Sequence, residues 1–109
     1  AVANATAGLA ASSVTSSGLM SVFALGEVNK PGRLDIEPGT TLLQFLAENG
    51  GLTKLAATKR IQLRRVDSKT GKETLYNFDY KAVQRGANAP VIVLREGDVV
   101  VVPERRLFE

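Results

Sequence analysis

Residues 41–52, TLLQFLAENGGL, encode a helix too short to stand alone, so the remainder of the chain must be arranged to cover it. Thr41 is placed to cap the helix with its hydroxyl, and Gln44 three positions on can reach back to complete a capping box. Leu42, Leu43, Phe45 and Leu46 fall at helical spacing and make one apolar face. Asn49-Gly50-Gly51 ends the helix, because glycine adopts a left-handed cap at little steric cost. A helix of roughly two and a half turns is marginal in water. Only the strand-like runs on either side can cover its apolar face, which predicts one short helix held on a sheet.

Those runs can be read in order. Val22–Val28 is apolar and rich in strand formers, Asn29-Lys30-Pro31-Gly32 is a turn, and Arg33–Glu37 alternates polar and apolar residues. Together they predict a hairpin with Leu34 and Ile36 facing inward. Pro38-Gly39 then turns the chain into the helix. Beyond it, residues 52–59 form a connection with a short helical turn, and Arg60–Val66 and Thr74–Phe78 are predicted strands joined by the loop 67–71. Residues 79–86 read as a helical turn ending at Gly86. Pro90–Leu94 and Val99–Val102 read as two further strands, separated by Arg95-Glu96-Gly97-Asp98 and closed by Pro103. Four consecutive valines predict a strand buried on both faces and central in the sheet.

The chain has 109 residues, enough for one domain with a modest core. It contains no cysteine and no histidine, which removes disulfides, the usual general base near neutral pH and the commonest zinc ligand. Its 14 Lys and Arg against 11 Asp and Glu make it only mildly basic, and no charge occurs before Glu27. Residues 1–20 are therefore set apart as an uncharged tail ahead of a domain over 21–109. The tail lacks a basic signal-peptide start and is too polar to span a membrane. It reads as a linker, a processing or cloning remnant, or an intersubunit strand. The strand reading rests on alanine at positions 1, 3, 5 and 7, a period of two over Ala1–Ala11. Asn4-Ala5-Thr6 fits a glycosylation triplet that is common by chance.

Strand, strand, helix, further strands and a central last strand is the order of a β-grasp domain. The expected class is α+β, with a mixed sheet of about five strands around one short central helix. Three pieces, GEVNKPG (26–32), PGTTLLQFLAENGGLT (38–53) and LREGDVVVVPERRLF (94–108), resemble the soluble-ligand-binding β-grasp (SLBB) domain. It looks most like the version in bacterial periplasmic polysaccharide biosynthesis and export proteins. The resemblance covers about residues 22–109. Relatives commonly carry an upstream export domain with its own motif, and no such motif is found in these residues. The family pattern is carried by Gly26, Glu27, Pro31, Gly32, Gly50, Gly51, Gly97, Asp98 and Pro103. Turn and cap geometry alone accounts for the glycines and prolines. Asp98 is expected to bond amides of its own turn rather than a metal, and Glu27 and Asp35 to lie across the first hairpin as solvated charges. Gly50-Gly51 stands at a helix end, the wrong dipole terminus for a phosphate.

The basic residues carry more information. Lys59, Arg60, Arg64, Arg65, Lys69 and Lys72 place six of the 14 cations within 14 residues. Strand alternation puts Arg60, Gln62 and Arg64 on the face opposite Ile61 and Leu63. They form either a solvated edge that discourages aggregation or a contact for an acidic polymer, such as a uronate-bearing polysaccharide, or for acidic neighbours. Nucleic acid is a weaker partner, since the only exposed aromatics for base stacking are Tyr76 and Tyr80.

No nucleophile–base pair, metal cluster or cofactor motif is legible, so no enzyme, metal or cofactor is expected. The resemblance implies a non-enzymatic periplasmic module, with outer-membrane association or an extracellular assembly as alternatives. It further implies homo-oligomers, contact with a capsular or exopolysaccharide chain, and partnership with an inner-membrane polymerisation and export apparatus. The rival is a structural filament or scaffold subunit that self-assembles by N-terminal strand exchange and binds no carbohydrate.

Overall fold

A computed structural model of the chain describes residues 18–48 and 51–108. The expected strand over Ala1–Ala11, the Asn4 triplet and the Asn49-Gly50 half of the helix stop lie outside the described residues. Five strands form one sheet: β1 (Met20–Gly26), β2 (Gly32–Ile36), β3 (Ile61–Val66), β4 (Glu73–Phe78) and β5 (Val99–Val102). Two short helices, α1 (Leu42–Glu48) and α2 (Tyr80–Gln84), complete the elements. The sheet order is β2-β1-β5-β3-β4. β5 runs parallel to β1 and antiparallel to β3, so the sheet is mixed and the valine strand is central. This is the α+β, β-grasp architecture.

The helix begins as its residues dictate. The Gln44 amide donates to the Thr41 hydroxyl at 3.2 Å and the Thr41 amide donates to Gln44 Oε1 at 3.0 Å, the reciprocal pair of a capping box. Leu42, Phe45 and Leu46 are buried, while Leu43 is only half-buried. They meet a core built from alternate residues of every strand: Val22 and Ala24, Ile36, Ile61 and Leu63, Phe78, and Val100 and Val102. Phe23, Leu25, Gln62, Arg64, Leu75, Val99 and Val101 point to the sheet's other side, where Phe23, Leu25 and Leu75 are exposed.

Several expectations need correction. The first strand starts at Met20, paired with Ile36, one residue inside the stretch assigned to the tail. It stops at Gly26 rather than Val28, because Gly26 takes a positive φ of 92° and the chain turns there. A Cβ at Gly26 would lie 2.1 Å from the Val102 carbonyl oxygen, so only glycine allows β1 and β5 to approach this closely. Pro90–Leu94 is not a strand of the sheet. Val91 is 82% exposed, and the segment bonds instead to the chain entering α1, with Leu42 N donating to Ile92 O and Leu94 N to Thr40 O. Pro90 has no amide to give a ladder. The central strand is not buried on both faces either, since Val99 and Val101 are half-exposed beside Val100 and Val102. Glu27 and Asp35 do not oppose one another. Asp35 pairs with Ser21, while Glu27 lies past β1 and accepts the Thr53 hydroxyl at 2.8 Å.

Candidate functional site

Alternation along β3 puts Ile61, Leu63 and Arg65 on the core side, and Gln62 and Arg64 on the other. A guanidinium at a core-register position needs a partner. Extending the β3–β5 register by one rung places Asp98 directly opposite Arg65. Arg65 Nε donates to Asp98 Oδ1 at 3.1 Å and Nη2 donates to Oδ2 at 2.7 Å, with a further bond from Nη2 to the Val93 carbonyl at 2.8 Å. Asp98 Oδ2 also accepts the Arg95 amide at 2.8 Å, so the aspartate does close its own turn, as expected, while anchoring a second element. The hydrogen bond to Asp98 raises the Arg65 pKa above its ordinary value, against the opposing effect of burial. The guanidinium carbon lies 5.6 Å from the centre of the Tyr76 ring, which occupies the diagonal core-side position on β4.

This post supports one side of an open cleft of about 460 Å³. One wall is the β3–β4 hairpin, with Val66, Asp67, Ser68, Lys69, Thr74 and Tyr76, and the other is the turn at 95–98. The hairpin wall is shaped by Asp67, whose Oδ1 accepts the amides of Lys69 at 2.7 Å and Thr70 at 3.3 Å. Across the cleft Glu96 is fixed by the Ser21 amide, which donates to its Oε1 at 2.9 Å. Among the described residues, Lys69 and Arg95 form no ion pair with a carboxylate. Tyr76 keeps 37% of its surface open.

The six basic residues singled out from sequence do not form one patch. Arg65 and Lys69 enter the cleft. Arg64 lies on the opposite face, paired with Glu73 at 3.3 Å, and Lys72 stands in the exposed hairpin loop. Lys59 and Arg60 are at the other end of β3, with Arg60 ~17 Å from Arg65 along the strand. Arg60 Nη2 donates there to the Glu104 carbonyl at 3.1 Å. Lys59 instead joins Lys81 and Arg85 around a second depression of about 280 Å³, where Asp79 caps α2 by accepting the Ala82 amide at 2.9 Å. Sequence reasoning missed Arg95 and Glu96 of the cleft and Lys81 and Arg85 of the depression. One legible signal was Arg65 itself, a charge in step with Ile61 and Leu63.

The uncovered sheet face has its own character. Phe23 and Leu25 of β1 are exposed beside Val99 and Val101 of β5, and the four make an apolar strip on this face, from which Arg64 and Gln62 of β3 separate the exposed Leu75 of β4. The pairs Arg33–Asp35 (3.6 Å) and Arg64–Glu73 (3.3 Å) bound it at either end. Among the described residues, no three of His, Cys, Asp and Glu gather as a metal-binding group, and no helix is long and apolar enough to cross a membrane.

A mixed five-stranded sheet around a capped helix, with a polar cleft at one end, defines a β-grasp binding domain. A family model for the SLBB domain matches residues 21–77, more than half of the chain, and the chain belongs to that family. SLBB domains are binding domains associated with polysaccharide export and ligand binding, and they are typically periplasmic. No curated protein matches the chain.

Proposed function

We propose that this chain is a non-enzymatic binding and assembly module of a periplasmic polysaccharide export protein. Membership of the SLBB family over residues 21–77 carries the reading. Two features of the molecule support its two halves. For assembly, the apolar strip of Phe23, Leu25, Val99 and Val101 suits a second copy of the chain. Each end of the strip carries both signs of charge, so two copies can meet with opposite charges matched. For binding, Lys59, Lys81 and Arg85 gather cations around a depression whose one carboxylate is occupied in capping α2. An acidic polysaccharide is the ligand that this end favours. The partner apparatus would then be the inner-membrane machinery that polymerises and exports the chain.

Calorimetry with alginate, a uronate polymer, tests the binding half. Heat of binding that fades steeply with salt is expected, because exposed charges are screened within about 10 Å at 0.1 M. Lys59→Gln, Lys81→Gln and Arg85→Gln combined should abolish it, with thermal stability nearly unchanged. A second reading, a scaffold subunit without carbohydrate ligand, draws on β2 and β4, the edge strands of the sheet among the described residues, to which a strand can be added. Light scattering without sugar that shows assembly, together with no heat from any polysaccharide, would favour the scaffold.

A further inference from the structure

The cleft between the β3–β4 hairpin and the 95–98 turn differs in chemistry from the basic depression at the other end of β3. Three cations line it, Arg65, Lys69 and Arg95, and so do three carboxylates, Asp67, Glu96 and Asp98. Arg65 and Asp98 neutralise one another. What remains is balanced, with two unpaired cations facing two carboxylates that each keep one oxygen without a partner among the described residues. Such a site offers little net field to a polyanion, and Glu96 and Asp67 would repel a phosphate. It suits instead a ligand whose groups both donate and accept, which is the property of hydroxyls.

The rest of the cleft fits the same ligand. Tyr76 is held by the Arg65 guanidinium, so its ring is fixed before anything binds. The electron-rich face of an aromatic ring attracts the polarised C–H groups on the apolar side of a sugar. The volume, about 460 Å³, lies within the range of small-molecule sites. One wall of the cleft, the turn at 95–98, lies outside the segment that matches the family.

We infer that this cleft binds an uncharged, hydroxyl-rich pyranose unit. The sugar stacks on Tyr76, Lys69 and Arg95 donate to its oxygens, and Glu96 accepts from its hydroxyls. The inference rests on the polysaccharide-binding reading and deepens it by separating two subsites: a neutral sugar here, and acidic units at Lys59, Lys81 and Arg85.

Backbone-amide NMR of the whole chain tests it, using neutral tetraoses of β-glucan, α-glucan, mannan and galactan type, a galacturonate tetraose and inorganic phosphate as probes. At least one neutral tetraose is expected to shift the amides of Ser68, Lys69, Tyr76 and Glu96, with an affinity little changed between low and physiological salt. Tyr76→Ala and Glu96→Gln should each weaken that binding about ten-fold or more, the scale of one lost stacking or charge-assisted contact. Lys69→Gln, in an exposed loop, provides a variant whose fold is not at risk. Three outcomes overturn the inference. None of the neutral tetraoses shifts these amides, phosphate shifts them as strongly as any sugar, or the variants bind as well as wild type. If galacturonate alone binds, at Lys59 and Lys81, the cleft assignment fails while the polysaccharide reading stands. If no saccharide shifts any amide, both fail.

Discussion

Arg65 and Asp98 face each other across β3 and β5 with both guanidinium–carboxylate bonds made, and only 2% of the Asp98 side chain reaches solvent. The pair ties β3 to the turn ahead of β5, and so ties together the two walls of the cleft. A structural pair and a binding site are here the same piece of chemistry.

Arg65→Met should therefore cost about 3–5 kcal/mol in urea unfolding, because it leaves a buried carboxylate without its counter-charge. The double variant Arg65→Met with Asp98→Leu should recover much of that loss, since a well-packed apolar pair can replace a buried ionic one. A single-variant loss below about 1 kcal/mol, the range of exposed pairs, would show that water reaches Asp98. The pH behaviour follows from the sign of the shift. Arg65 has its pKa raised in the folded state, mainly by the bond to Asp98. Its stabilisation is complete below the ordinary arginine value and is lost only as pH rises through the still higher folded value. The arginine thus contributes no pH dependence near neutrality, which an unfolding series across the neutral range can check.

Much of the fold was legible because its signals are local. Thr41 and Gln44 stand three residues apart and make the bonds that spacing predicts, and the turn at Pro31-Gly32 joins β1 to β2 as expected. What escaped was long-range. Arg64 and Arg65 look alike in sequence, yet one faces solvent with Glu73 and the other faces Asp98, 33 positions away. The cleft joins residues 65–76 to 95–98, and no spacing within either stretch announces the other. Pro90–Leu94 has a strand's composition, but its partner is the chain ahead of the helix rather than the sheet. The valine run gave the central place of β5 correctly. It could not show that one sheet face is left open, because that depends on where the helices lie.

Phe45 tests the helix as the centre of the core. It is 2% exposed among Leu42, Leu46 and the core residues of the sheet. Phe45→Ala is expected to cost about 3–5 kcal/mol, through lost burial and the cavity left behind. For a domain of ordinary stability that is a large share of the total. A denaturation midpoint no lower than that of an exposed-site control would remove α1 from the core.

Gly26 and Gly71 separate backbone strain from steric contact. Both have positive φ, 92° and 74°, so alanine at either pays a conformational cost of about 1–2 kcal/mol. At Gly71 a Cβ meets nothing within 4 Å, and Gly71→Ala should lose about that and no more. At Gly26 the Cβ would strike the Val102 carbonyl, which accepts the Glu27 amide at 2.8 Å. Gly26→Ala should force β1 and β5 apart and lower the melting temperature well beyond the Gly71 variant. Equal losses would mean that the two strands can part without consequence.

The uncovered sheet face gives the last test. Leu25 is 50% exposed and stands beside Val101 on the neighbouring strand, within the apolar strip. Leu25→Lys places a charge where a second copy would have to desolvate it, and a buried unpaired charge is costly enough to break an interface. The same lysine in an isolated domain keeps its ammonium in water and should leave stability within about 0.5 kcal/mol. Light scattering on the wild-type chain should show a species larger than one copy, which Leu25→Lys converts to single folded copies with unchanged circular dichroism. Arg33→Glu, beside Asp35 at the strip's edge, should weaken assembly less and mainly through its salt dependence, as rim charges do. A wild-type chain that is a single copy at every concentration, or an assembly indifferent to Leu25→Lys, would take this face out of the interface and leave the edge strands β2 and β4 as the remaining route to assembly.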